Sequence, residues 1–184
     1  MKKFLTLVTL VCMVLTATVA LADFPSKTAE DLTVVGTTES VAGVELADDF
    51  VVYVTEPTEE INAEVAAIFE YVAENPIVTY LPEETQTAIA DLGVDAAALV
   101  GYEAVAVACD NYKAEYGDVS AEMTFATVFP EGSEVIVLVK TTEWSVQKAV
   151  VENGIVKVLY TEAELTYMDE TPALVLVLAN EIAE

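Results

Sequence analysis

The stretch DVSAEMTFATVF, residues 118–129, places apolar side chains at alternate positions. A period of two over this length is typical of a half-buried β-strand, because successive side chains point to opposite faces of a sheet. The face that this register predicts to be buried consists of Val119, Ala121, Met123, Phe125 and Phe129, with Thr127 as its polar member. The stretch therefore predicts one strand that ends at the turn Pro130-Glu-Gly132.

Three further strands are predicted directly after this one. Glu134–Lys140 is a continuous, mostly β-branched run, which is typical of a strand covered on both faces. Trp144–Val151 alternates again, and Asn153-Gly154 can supply the positive φ angles of a two-residue type I′ turn into Ile155–Tyr160. We therefore expect a block of four strands, joined by short turns, around which the rest of the chain packs.

The remaining elements are predicted to be helices and shorter strands. Thr58 caps a first helix that runs to about Glu74, and Pro82 opens a second that ends before Gly93. A short helix is expected over Glu162–Met168. Strands are expected at Leu32–Val35, Val41–Leu46, Phe50–Thr55, Tyr102–Cys109 and Ala173–Ala179.

These elements predict an α+β fold. The expected architecture is a mainly antiparallel β-sandwich, Ig-like in general shape, with a two-helix insertion between strands. Residues 32–184 would form this single domain, with the helical section at 57–100, and residues 23–31 would be a flexible leader before it.

The N-terminal residues have the pattern of a secretory signal peptide. Lys2 and Lys3 precede an apolar run over Leu5–Val19, and Ala20-Leu-Ala22 is a small-x-small cleavage site. Residues 1–22 are therefore assigned to the signal. No later apolar run is long enough to span a membrane, so we expect a secreted protein that does not insert after cleavage.

The composition is strongly acidic and excludes several kinds of partner. The chain has 32 acidic residues against seven lysines, no arginine and no histidine, and a net charge of −25. Nucleic acid is not expected as a partner, because its binding depends on neutralising phosphates with Lys and Arg. The hydrophobic fraction of 54% predicts a folded core beneath the acidic surface.

Cys109 is the one cysteine that remains after signal cleavage, so no intrachain disulfide is expected. A buried thiol that behaves as a small apolar residue is the favoured interpretation. A nucleophilic role would need a neighbouring base, and the imidazole that usually serves is absent.

Carboxylates are the abundant chemistry of the chain. The loop Asp110–Asp118 carries the best calcium candidates, which are Asp110, Glu115 and Asp118, although their spacing matches no EF-hand. Solvated loop acids are the favoured alternative, and no other cofactor is expected. A glycosidase-like hydrolase would need two facing carboxyl groups, and no pair is singled out by the sequence.

Aromatic side chains could contact a ligand. Tyr112 and Tyr116 flank a loop and are expected to be exposed, whereas Trp144 is expected to lie in the core, with a sugar-stacking platform as the alternative.

The order of several short motifs resembles an uncharacterised family of small secreted or surface modules from Gram-positive (Firmicute-type) bacteria. The resemblance would cover most of residues 26–179, and it implies an extracytoplasmic, sandwich-like module with no activity to transfer. The chain shows no C-terminal sorting pattern, so covalent attachment to the wall is not expected. The motifs are Ser26-Lys-Thr28, Asp31-Leu32, Tyr116-Gly-Asp-Val119, Thr124-Phe-Ala-Thr127, Gly132, Trp144 and Asn153-Gly154.

Two functions remain open from the sequence. The favoured one is a secreted, non-enzymatic extracellular module that is structural or binds a protein or glycan. The alternative is a carboxylate-dependent, glycosidase-like hydrolase or a carbohydrate-binding module.

Overall fold

The structure is a computed structural model that describes residues 38–125 and 127–180. The predicted signal peptide, the leader and the strand expected at Leu32–Val35 lie outside the described residues. The helices and strands, in chain order, are β1 (Glu39–Ser40), β2 (Val51–Thr55), α1 (Glu59–Val72), α2 (Glu83–Asp91), β3 (Leu99–Asp110), β4 (Val119–Met123), β5 (Glu134–Lys140), β6 (Trp144–Glu152), β7 (Ile155–Tyr160), α3 (Glu162–Met168) and β8 (Ala173–Asn180).

The described strands form one antiparallel sheet in the order β1-β4-β7-β6-β5-β8-β3-β2. The sheet curls into a half-barrel, which confirms the α+β class. The two-helix insertion is also confirmed, because α1 and α2 lie between β2 and β3. The predicted sandwich with an Ig-like shape is not confirmed, because the strands on either side of the core belong to a single sheet that continues through the β6–β7 hairpin.

Two neighbouring interior strands, β5 and β8, are buried on both faces, as the continuous apolar run of β5 predicts. Val137 of β5 and Val177 of β8 face an inner core that also receives β4, β7 and α3. Leu138 and Leu176 face the opposite way, into a helix-side core covered by α1 and α2. Curling of the sheet around the inner core thus replaces the second sheet of a sandwich.

The hairpin between β6 and β7 is confirmed, but its strands pair only near the turn. Asn153 and Gly154 adopt φ angles of 55° and 75°, as a type I′ turn requires. Beyond the pairs Val151↔Val156 and Glu152↔Ile155 the strands separate. Farther along, the Gln147 side chain spans the gap: its amide nitrogen donates to the Leu159 carbonyl oxygen, and its amide oxygen accepts from the Leu159 N–H, each at 2.8 Å.

The strand predicted over residues 118–129 is shorter than expected. β4 ends at Met123, and the chain then leaves the sheet. Phe125 and Phe129 are nevertheless buried, as the alternation predicts, and their ring centroids lie 6.3 Å apart in an edge-to-face contact. The apolar pattern therefore identifies the buried side chains correctly, but their burial comes from a loop that packs over the end of the inner core.

The strand predicted at Val41–Leu46 is wrong. The strand in this region is the two-residue β1, and the Gly43 N–H then donates to the Ser40 carbonyl oxygen at 3.0 Å with Gly43 at a φ of +74°. This turn ends the pairing with β4 and leaves Val41 63% exposed. A tight turn at a glycine thus overrides the β-propensity of the two valines.

The first helix begins as predicted. The Thr58 hydroxyl accepts from the Ile61 N–H at 3.2 Å, and Ile61 and Ile68 bury the apolar stripe of α1. The strands expected at Phe50–Thr55, Tyr102–Cys109 and Ala173–Ala179 are confirmed as β2, β3 and β8.

Candidate functional site

An open groove of about 450 Å³ lies between α2 and the turn that joins β5 to β6. Its position follows from the way α2 packs on the outer side of β6. Its walls combine apolar and acidic side chains, and the lining residues are Pro82, Glu84, Thr85, Ala88, Lys140, Thr142, Glu143, Trp144 and Val146.

Trp144, the single tryptophan of the chain, begins β6 and is half-buried at this groove. Trp144 packs against the helix-side core but is only partly buried, so the expectation that it belongs to the core is met in part. The Lys140 ammonium lies 5.4 Å from the ring centroid, within the range of a cation–π contact.

Lys140 is held in place by α1. Its Nζ lies 2.7 Å from Glu64 Oε1, and the Tyr80 hydroxyl donates to the same oxygen at 3.2 Å. Burial and the nearby Glu64 carboxylate raise the pKa of the Tyr80 hydroxyl, so this hydroxyl stays a donor at neutral pH. The contacts of Lys140 thus connect α1 to the tryptophan at the edge of the groove.

The polar groups of the groove include the hydroxyl of Thr85. This residue is 5% exposed, and its hydroxyl forms no hydrogen bond with the described residues but is reached by solvent at the groove. Glu84 and Glu143 are exposed on opposite walls, one on α2 and the other on the β5–β6 turn. Sequence reasoning missed this grouping, because the pairing of α2 with β6 is long-range and has no local sequence signal.

The two tyrosines that were predicted to be exposed and to contact a ligand, Tyr112 and Tyr116, are both at least partly buried. Tyr116 is 2% exposed, so its expected exposure is wrong. Its ring packs 5.5 Å from that of Phe50, and its hydroxyl oxygen accepts from the Ala47 N–H at 3.3 Å. Tyr112 is half-buried, and its hydroxyl donates to the Gly117 carbonyl oxygen at 3.0 Å. Both rings hold the 110–118 loop against the inner core.

The three calcium candidates are not brought together around one point. Asp110 Oδ1 accepts from the Tyr53 hydroxyl at 3.1 Å, and Asp118 Oδ1 accepts from the Glu162 N–H at 2.9 Å. Glu115 is exposed on a short 3-10 turn. Over residues 38–125 and 127–180, no group of three or more carboxylate or cysteine side chains is arranged to hold a metal ion. Calcium binding stays a prediction.

A second open groove, of about 380 Å³, lies on the outer side of the β6–β7 hairpin. Two carboxylates line it, Glu122 and Glu152, and the Nζ of Lys157 lies 3.5 Å from Glu122 Oε1. The Lys157 ammonium thus neutralises one of the two acids. The lining of this second groove contains no aromatic side chain.

Two buried carboxyl groups were not singled out by sequence reasoning. Glu164 Oε2 accepts from the N–H and the hydroxyl of Thr161 at 2.7 and 2.9 Å, while Ser145 donates its hydroxyl to Glu164 Oε1. This is a capping box at the start of α3, and the spacing Thr161-x-x-Glu164 was a signal that could have identified it.

Glu103 is the other buried acid, and it is completely enclosed. A β-bulge between Gly101 and Glu103 inserts an extra residue in β3. Glu103 Oε1 accepts from the Thr127 N–H at 2.7 Å, and Oε2 has no partner in the described part of the chain. Glu103 therefore ties the loop after β4 to β3, a role that no local sequence pattern indicates.

None of the described helices is long and apolar enough to cross a membrane. Comparison with known protein families, with curated proteins and with solved structures found no match. The resemblance to secreted modules of Gram-positive bacteria therefore stays a prediction.

Proposed function

We propose that the chain is a secreted, non-enzymatic module that binds a protein or glycan outside the cell, and that the groove beside Trp144 is its contact site. The observation that carries this proposal is the position of the single tryptophan at the edge of an open concavity. Secretion rests on the signal-peptide pattern of residues 1–22.

The groove has the composition of a binding surface. Ligand sites are concave, largely apolar, and carry a few polar groups that orient the ligand. Here Trp144, Val146 and Ala88 supply the apolar surface, and Thr85 and the wall carboxylates supply the polar groups. A half-buried tryptophan is also a frequent energetic centre of protein interfaces.

The partner should not be a polyanion. With a net charge of −25 and no arginine, the surface repels phosphate-rich and other acidic polymers. Neutral glycans and neutral or basic proteins remain as ligand classes.

The experiment uses the mature protein, residues 23–184, on arrays of glycans and of extracellular peptides. We expect at least one ligand whose binding is lost in Trp144→Ala. The matched control is Val150→Ala, which truncates an exposed apolar side chain at the second groove, and it should bind as the wild type does. Ligand binding that is equal in both variants would remove the groove from the proposal.

Secretion is tested separately. When the full chain is produced in a bacterium with a general secretion system, we expect its mature form in the culture medium, starting at Asp23 by mass spectrometry. A chain that stays in the cell and keeps Met1 would contradict this part.

A further inference from the structure

We propose that the groove beside Trp144 is a docking site for a basic segment of a partner protein, which inserts a lysine or arginine side chain between the Glu84 and Glu143 walls. This inference rests on the proposed function, since it names the ligand class of the same groove.

The charges at the groove favour a basic ligand. Lys140, Lys148 and Lys157 pair with Glu64, Glu134 and Glu122, respectively. Within the described part of the chain, no lysine forms an ion pair with either wall carboxylate of the groove. The groove therefore offers two acidic groups without an internal counter-ion.

The hydroxyl of Thr85 adds a hydrogen-bonding group to the groove. The residue is 5% exposed, and its hydroxyl has no hydrogen-bond partner among the described residues but is still reached by solvent. A ligand that covers the groove displaces this solvent and has to supply a partner, because a buried polar group left unpaired is unfavourable. An ammonium or guanidinium N–H would do so by donating to the Thr85 hydroxyl oxygen.

The Trp144 ring also favours a cation. Among aromatic rings, an indole attracts cations most strongly, and the Lys140 ammonium at 5.4 Å shows that cations are accommodated beside the Trp144 ring. The charge of Lys140 is balanced by Glu64 at 2.7 Å, so Lys140 repels an incoming cation only weakly. The long apolar stem of a lysine or arginine would pack on Val146 and Ala88 while its charged end meets the carboxylates.

The acidity of the whole molecule favours the same class of partner. A net charge of −25 attracts basic segments from a distance and accelerates their encounter. That general attraction cannot by itself choose a site, so the test must separate it from binding in the groove.

The experiment measures binding of a fluorescein-labelled hexalysine peptide to the mature protein by anisotropy. The emission of Trp144, the sole tryptophan, is followed in parallel with the unlabelled peptide as a reporter of the groove. The fully acetylated hexalysine, which keeps the stems and loses the charges, is the matched ligand control. A neutral oligosaccharide, cellohexaose, represents the other ligand class.

We expect hexalysine to bind and to shift the Trp144 emission, and the acetylated peptide to do neither. Glu84→Gln and Glu143→Gln should each weaken binding about threefold, the size expected for one exposed charge pair. Glu83→Gln removes the same charge from the same first turn of α2, outside the groove lining, and should leave the affinity nearly unchanged.

Three results would overturn the inference. Equal weakening by all three glutamate variants would show general attraction without a site. An emission shift caused by cellohexaose alone would assign the groove to glycans and leave the proposed function standing. Absence of any Trp144-dependent ligand in these titrations and on the arrays would remove both proposals together.

Discussion

Cys109 lies on β3 with 1% of its surface exposed, and its thiol donates to the Leu165 carbonyl oxygen at 3.3 Å. Burial, reinforced by the Asp169 and Asp110 carboxylates, raises the pKa of this thiol from its ordinary value of 9.0 to about 12. The structure thus confirms that Cys109 is a buried apolar residue, and it leaves the thiol protonated at neutral pH, where it is a poor nucleophile.

The raised pKa of Cys109 predicts a loss of stability in alkali. Between pH 9 and pH 12 the unfolded chain releases the thiol proton while the folded chain retains it, so the free energy of unfolding falls as the pH rises. The thiol alone should lower it by about 1.4 kcal/mol between pH 8 and pH 10. Urea titrations at the two pH values measure this change.

Cys109→Ala is the control for this prediction. Burial also raises the pKa of the Tyr160 hydroxyl, so part of the alkaline loss belongs to tyrosine and should persist in the variant. The difference between the two proteins isolates the thiol. A Cys109→Ala protein with the same pH dependence as the wild type would contradict the assignment.

At the scale of elements, β6 and β7 separate beyond their turn, although the sheet continues through this hairpin. Backbone pairing in this hairpin is limited to Val151 and Glu152 of β6. Farther from the turn, the Gln147 side-chain amide takes the place of a backbone pair, because it forms hydrogen bonds with both the N–H and the C=O of Leu159. A primary amide carries two N–H donors and a carbonyl acceptor, and one N–H lies on the same side as the oxygen, so the amide can bond the N–H and the C=O of one residue and replace a missing rung of the ladder.

Replacing Gln147 tests this function. Gln147→Ala should lower the free energy of unfolding by about 1–2 kcal/mol, because two hydrogen bonds are lost and each contributes roughly 1 kcal/mol. Chemical denaturation measures the change, and hydrogen exchange of the Leu159 amide should become faster. Lys148→Ala, which alters an exposed ion pair on the neighbouring residue, should cost less. Similar losses in both variants would argue against a bridging role for the amide.

The sequence predicts these elements far better than their arrangement. The alternation from Trp144 onward and the Asn153-Gly154 turn correctly predict both strands of the hairpin, because these signals are local. The pairing of β4 with β7 joins residues 33 to 41 positions apart, and alternation carries no information about such long-range pairing or about whether the strands form one sheet or two. The groove at Trp144 was missed for the same reason.

At the scale of the whole molecule, the main feature is unbalanced charge. The net charge is −25, and three ion pairs occur within the described residues. Mutual repulsion of surface carboxylates opposes compaction, and added salt screens it. Charge therefore keeps the molecules apart in solution while it lowers the stability of each one.

The thermal midpoint should therefore rise by about 2–4 °C between 20 and 500 mM NaCl, the size of a stabilisation of roughly 1 kcal/mol. Differential scanning fluorimetry measures it. A midpoint that falls with salt would show that ion pairs outweigh repulsion.

The same measurement in CaCl₂ at matched ionic strength tests the calcium prediction. An additional rise that a chelator removes would support a site among Asp110, Glu115 and Asp118, whereas equal midpoints in the two salts would argue against it.

The position of β8 between β3 and β5 has a consequence for how the protein is made. β8 is the last described strand to leave the ribosome, yet it lies in the interior of the sheet, so a nascent chain that stops before Ala173 has no strand to join β3 to β5. Such a stalled chain should remain open to proteases. Late completion of this kind would be compatible with the secretion proposed above, because a translocation channel passes polypeptides that have not yet folded.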